Sequence, residues 1–256
     1  MFSLIIWLVK ITLIVALKVI ESPRMVCCFL YDIILTCGFV ICSDRGGLLV
    51  TNLTCVEFLT ELASAAPAPG GGGGAAMAGA LAAALSSMVA NLTIGKEKFA
   101  AQEQEVKVLL TQAEAERERL LELVGEDAAV FNSFMSCYKL PKATEEEKAA
   151  RTAAIRSAAK QAALVPLNIA RSSFAVLKLA DKLVVLGNPG VITDGACSGL
   201  LARAALRCAE YNVRINLKLT KDEAWNAEVA AELKALLAEA EALENRLLSV
   251  TDEALA

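Results

Sequence analysis

At 256 residues and a net charge of −4, the chain has room for one domain with a sizeable core or two smaller ones, and it offers no basic face for nucleic acid. It contains no histidine, which excludes Ser/His and Cys/His nucleophile pairs and histidine-ligated metals, and leaves acid–base work to carboxylates, Lys, Tyr, Cys or water. Hydrophobic residues make up 56% but aromatics only 5%, so the excess is Ala and Leu, the composition of helices. Eight cysteines occur without a C-x-x-C pair. Cys137, Cys197 and Cys208 fall in helical patterns, where they read as small buried hydrophobes of a reducing compartment.

Residues 1–49 differ in character from the rest. Phe2 to Ile20 is apolar around Lys10 and Lys18, and Val26 to Cys42 is apolar around Asp32. Two readings stand open: a membrane hairpin or uncleaved signal anchor, and an upstream overextension of the reading frame, with translation starting at Val50. The expected division is therefore a hydrophobic segment over 1–49 and a globular domain over 50–256.

The globular part opens with Thr54-Cys55-Val56-Glu57, an S/T-x-x-E capping box, and a short helix that ends before Pro67. Pro67 and Pro69 stiffen the approach to Gly70–Gly74. Ala75 to Ala90 is built of Ala, Gly and Ser, with Met77, Leu81, Leu85, Met88 and Val89 on one side. Small residues let helices approach closely, so a buried central helix is expected, running to about Thr93. A long amphipathic helix over Lys96–Val124 follows, with a break at Gly125 and a restart through Tyr138. Thr144 with Glu145, Glu146 and Glu147 marks the next helix start; that helix passes Pro166, which bends it, and continues to Leu183. Leu186-Gly187-Asn188-Pro189-Gly190 is a turn, Thr193 or Asp194 caps a helix from Gly195 to about Asn216, and a last helix spans Lys221–Val250. No stretch alternates as a strand, so the fold class is all-α.

A helix start leaves about four N–H groups without partners and carries roughly half a positive charge, so the glycines Gly70, Gly71 and Gly72 form a side-chain-free cradle for a polar or anionic ligand. The plainer reading is a flexible linker. Asp127, set among Leu123, Val124, Ala128 and Phe131, is desolvated by its sequence neighbours, which suits a general acid working near neutral pH. Asp194 stands at a helix start; helix capping is the alternative role for both aspartates. Lys96, after Gly95, suits a phosphate or carboxylate, or a solvated helix start. Asn212 and Asn216, four apart, share a helix face and could read an amide-like ring edge.

Together, PAPGGG, MVANLTIGKEKF, EDAAVF, LPKATEEEKAAR, VPLNIA, GNPGVITD and YNVRINL, in this order over about residues 53–250, resemble the cyclodeaminase/cyclohydrolase family. The resemblance implies an elongated all-helical bundle with long, partly kinked helices, a homodimer, a cytoplasmic location unless residues 1–49 insert into a membrane, and a tetrahydrofolate derivative bound without a metal. It assigns the catalytic aspartate to Asp127, the glycine turn to Gly70, Gly71 and Gly72, and the second motif aspartate, with Asn188 in the preceding turn, to Asp194. The family pattern PGGGS has serine where this chain has Gly73. The implied activity is cyclisation of 5-formimidoyltetrahydrofolate to 5,10-methenyltetrahydrofolate with loss of ammonia, hydrolysis of the methenyl compound to 10-formyltetrahydrofolate, or both. The alternatives are a non-enzymatic folate-binding helical dimer, suggested by Gly73, and a membrane-tethered helical scaffold, which rests on residues 1–49.

Overall fold

The computed structural model describes residues 53–256, so the readings of residues 1–49 and the boundary after them lie outside the described residues. Six α-helices follow one another: α1 Cys55–Leu62, α2 Gly71–Asn91, α3 Glu103–Cys137, α4 Glu145–Leu186, α5 Ile192–Thr220 and α6 Glu223–Leu255, with short 3-10 turns at Glu97–Phe99 and Pro189–Val191. No strand occurs among the described residues, and the fold is an all-α bundle.

Two helix starts are the ones the sequence marks. Thr54 with Glu57 and Thr144 with Glu147 both close capping boxes, each threonine hydroxyl accepting from the N3 amide while the glutamate accepts from the cap amide. Other boundaries differ. Gly125 does not break α3, which continues 35 residues from Glu103 to Cys137, because packing of its apolar face outweighs the roughly 1 kcal/mol helix penalty of one glycine. The segment from Lys96 to Gln102 is not part of that helix; Gly95 turns the chain at φ +76°, a conformation open to glycine. Neither Thr193 nor Asp194 caps α5, which begins at Ile192 with no side-chain cap, and Asn188 instead accepts from the Gly190 amide in the preceding turn.

Helix α2 is the centre of the bundle, packed against α3, α4 and α5. It is long and apolar enough to cross a membrane, but most of it is buried inside the bundle. Its sidedness is one of size rather than polarity. Gly79, Ala82, Ala83 and Ser86 face inward. An added Cβ at Gly79 would stand 3.0 Å from both Leu120 of α3 and Ser173 of α4. Ser198 of α5 donates to the Ala82 carbonyl at 2.7 Å, which leaves the Ser86 hydroxyl to donate to Ser198 at 2.8 Å. Of the large side chains grouped on one side of the helix in the sequence, Leu81 is 54% exposed and Met88 43%, while Val89 is buried. The cysteines are also corrected. Cys197 and Cys208 are exposed, since the inner side of α5 is taken by the smaller Ala202, Ala205 and Ala209, and Cys137 at the end of α3 is half-buried.

Candidate active site

Six of the nine residues singled out in the sequence line one cavity of about 190 Å³: Gly70, Gly71, Gly72, Asp127, Asn212 and Asn216. Pro67, Phe131, Phe134 and Val165 supply its apolar walls. The glycines, the aspartate and the two asparagines come together at the first turn of α2.

Gly70 is the N-cap of α2 but has no side chain, so the helix start lacks its own cap. Asp127 supplies it from α3. Its Oδ2 accepts from the amide of Gly73, the N3 position, at 2.9 Å, the bond an N-cap aspartate would ordinarily make within its own helix. This approach depends on Gly72, where an added Cβ would lie 2.2 Å from Asp127 Oδ1 and 2.6 Å from Cγ. Asp127 therefore caps α2 from another helix and also lines the cavity. Burial raises the Asp127 pKa above its ordinary value of 3.8, and the Gly73 amide, which favours the charged form, opposes that rise in part. With Oδ2 engaged, a proton is directed to Oδ1.

The asparagines are fixed by a feature whose role the sequence concealed. Pro166 lies inside α4 and has no N–H, so the carbonyl four residues earlier, Ala162, loses its helical partner. Asn216 replaces it, donating through Nδ2 to Ala162 at 2.7 Å and to the Asn212 carbonyl at 3.0 Å. Asn212 donates through Nδ2 to Cys208 at 2.9 Å. Both amide groups are thus turned so that their donors meet backbone, which leaves two amide oxygens as acceptors at the cavity. The α2 start, with its free donors, lines the same cavity. The cavity therefore offers acceptors, donors, one protonatable oxygen and apolar walls, a set that holds a flat heterocycle with an N–H edge and transfers a proton to it.

Lys96, Asn188 and Asp194 are elsewhere. Asn188 donates to the Leu92 carbonyl at 3.2 Å, and its own amide donates to Thr93 at 2.9 Å, at the far end of α2. Lys96 follows that same end and Asp194 lies in the first turn of α5. Since α2 has 21 residues, about 30 Å separate this end from the glycine start. Among the described residues, no group of three or more Cys, Asp or Glu side chains is gathered as a metal site.

A family model for formiminotransferase-cyclodeaminase matches residues 54–235. The chain is 46% identical over 196 residues to a methenyltetrahydrofolate cyclohydrolase of Methylorubrum extorquens, covering 77% of this chain and 94% of that one. It is 34% identical over 183 residues to the formimidoyltransferase-cyclodeaminase of Sus scrofa, covering 72% of this chain but only 34% of that much longer protein. Among solved structures, a formiminotetrahydrofolate cyclodeaminase of Thermotoga maritima superposes with a TM-score of 0.73 at 29% identity, covering 81% of this chain and all of that one.

Proposed function

The chain belongs to the formiminotransferase-cyclodeaminase family, and from that premise we propose which bond its cavity works on and how Asp127 does so. The protein is an enzyme of folate one-carbon chemistry, acting on the N5–N10 bridge by hydrolysis or cyclodeamination. Hydrolysis of 5,10-methenyltetrahydrofolate is the reaction we assign first, because the relative bearing that activity matches over 94% of its length. Cyclodeamination at the same cavity is the second, on the likeness to the Thermotoga cyclodeaminase.

The observation that carries the mechanism is the Asp127 carboxyl, pinned through one oxygen and open through the other. In hydrolysis the carboxylate takes a proton through Oδ1 from water as the water oxygen bonds to the bridge carbon, which is cationic and electrophilic. The tetrahedral carbon then breaks its bond to N5. Asp127 returns the proton to N5, and the hydroxyl proton leaves to solvent, giving the formyl group on N10. In cyclodeamination the same oxygen takes the N10 proton as N10 bonds to the formimidoyl carbon, and delivers it to departing ammonia. A carboxyl with a raised pKa suits both directions. The open amide oxygens of Asn212 and Asn216 would accept from the pterin N–H edge, and the amides of Gly71 and Gly72 would donate to its carbonyl.

Homodimerisation and a cytoplasmic location belong to the same proposal. On α2 the apolar residues Leu81, Met88 and Leu92 are exposed and Leu85 is half-buried, and a second copy is the occupant we assign to this row. Lys96, Asn188 and Asp194 would reach a folate in the cavity only from such a second copy.

The test is spectrophotometric. The absorbance of methenyltetrahydrofolate falls on hydrolysis and rises on cyclodeamination. Purified protein should show one or both, and Asp127→Asn, which keeps the shape and the acceptor for Gly73, should lose about 10²–10⁴-fold in rate. Wild-type turnover in the Asn variant would remove Asp127 from the mechanism.

A further inference from the structure

Accepting the folate reading, the cavity of about 190 Å³ takes the pterin and the bridge and leaves the p-aminobenzoylglutamate tail to run outside it. We infer that the tail follows the groove between α3 and α4 and that Arg151 binds its glutamate α-carboxylate.

The two helices run antiparallel in a fixed register: Asp127 and Ala162 meet at the cavity, and Tyr138 and Arg151 meet at the helix ends. Asp127, Phe131, Phe134 and Tyr138, spaced i, i+4, i+7 and i+11, share one face of α3, so an apolar and aromatic strip leads from the acid to the mouth of the groove. Phe134 and Tyr138 stand edge to face at 5.3 Å, a surface suited to a benzoyl ring. Eleven residues of helix advance about 16 Å. A ring and one amide-linked residue cover on the order of 10 Å of this, and the reach of an arginine side chain closes the remainder.

Arg151 and Arg156 of α4, with Lys139 and Lys142 in the loop before it, have no carboxylate partner among the described residues, and of these Arg151 is the one held against the aromatic strip. Arg117, Arg119, Arg171, Arg203, Arg207, Arg214 and Arg246 each pair with a carboxylate. Among the described residues Arg151 has no such partner; its Nη2 donates to the Tyr138 carbonyl at 3.2 Å, its guanidinium lies 5.5 Å from the Tyr138 ring centre, and its buried Nε has no acceptor. The nearby acids are engaged: Glu147 accepts from the Ala143 and Thr144 amides and Glu145 pairs with Lys148. A half-buried guanidinium with unused donors, held against an aromatic ring, is a carboxylate receptor.

The test compares 5,10-methenyltetrahydrofolate with 5,10-methenyltetrahydropteroate, which lacks the glutamate. Arg151→Gln should raise KM for the first by about tenfold at unchanged kcat, the pattern of lost uniform binding, and should leave KM for the second at the wild-type value. Arg151→Lys, which keeps the charge, should fall between. An equal rise on both substrates would make Arg151 a structural residue of the α3–α4 end and overturn the inference, as would no rise on either. Absence of wild-type turnover on both compounds would instead strike the folate reading itself, and p-aminobenzoylglutamate binding by calorimetry, expected in the wild type and lost in Arg151→Gln, tests the receptor without turnover.

Discussion

Replacing Gly72 by alanine changes one methyl group and should disable the enzyme. The new Cβ would lie 2.2 Å from Asp127 Oδ1, while ordinary contact begins at 3.4 Å, so that oxygen must retreat by about 1.2 Å. The same Cβ is 2.8 Å from Oδ2, the oxygen that accepts from Gly73, so the carboxylate cannot pivot about its hydrogen bond and has to leave it. A hydrogen bond to a charged group contributes about 1.5–3 kcal/mol, and displacement of a reacting group by about 1 Å costs on the order of 10²-fold in rate. The control is Gly74→Ala, two residues on, where the Cβ meets Leu62 at 3.8 Å. Alanine there should stabilise the helix by about 0.5–1 kcal/mol and leave turnover unchanged. Thermal unfolding and the methenyl absorbance assay measure both. Wild-type kcat in Gly72→Ala, or an equal loss in Gly74→Ala, would refute the argument, the first because the acid would not need its position, the second because any stiffening of the turn would suffice.

Five further outcomes follow from the same geometry. Because hydrolysis starts from the Asp127 carboxylate, kcat/KM should rise with pH through a pKa above 3.8, and this limb should vanish in Asp127→Asn. The folded chain holds that proton more tightly than the unfolded chain, so the associated stability is full below pH 3.8 and is lost as pH rises through the raised value; denaturation of Asp127→Asn should lack that loss. Gly73→Ser has room, its Cβ standing 3.8 Å from Asp127 Oδ2, and its hydroxyl would favour the carboxylate and move the acid limb to lower pH. Asn216→Ala should cost about 1–3 kcal/mol by orphaning the Ala162 carbonyl, but much less in a Pro166→Ala background, where the helix supplies an amide to that oxygen; additive losses in denaturant melts would break the link. Met88→Glu should shift sedimentation from dimer to monomer without unfolding the chain, and an unchanged dimer would move the interface off α2.

The sequence displays the parts of the site that depend on residue type and hides those that depend on which partner fills a vacancy. Asp127 stands out because apolar neighbours surround it, and the glycine run stands out because it has no side chains. That the first caps the second is invisible in one dimension: the missing cap at Gly70 is a local absence, and its remedy lies 57 positions away. Lys96, Asn188 and Asp194 illustrate the opposite difficulty. They sit in segments as distinctive as the glycine turn, but distinctiveness does not report at which end of a 21-residue helix a segment comes to rest.

Helix α2 carries this reasoning furthest. By hydropathy it has no polar side, so its buried face had to be chosen on size, and the chain places Gly, Ala and Ser inward because α3, α4 and α5 all converge on it. That choice leaves the bulky residues outside. An apolar row of Leu81, Met88 and Leu92 against solvent, with Leu85 half-buried among them, is a cost for a monomer and is relieved by a second copy, so the close packing that holds the glycine start against Asp127 also creates the surface on which we expect the chain to pair. Site and interface then share one cause, and a substitution such as Gly79→Leu, which pushes α3 and α4 off α2, should lose turnover and dimerisation together. Retention of either property by that variant, measured by sedimentation beside the absorbance assay, would separate them.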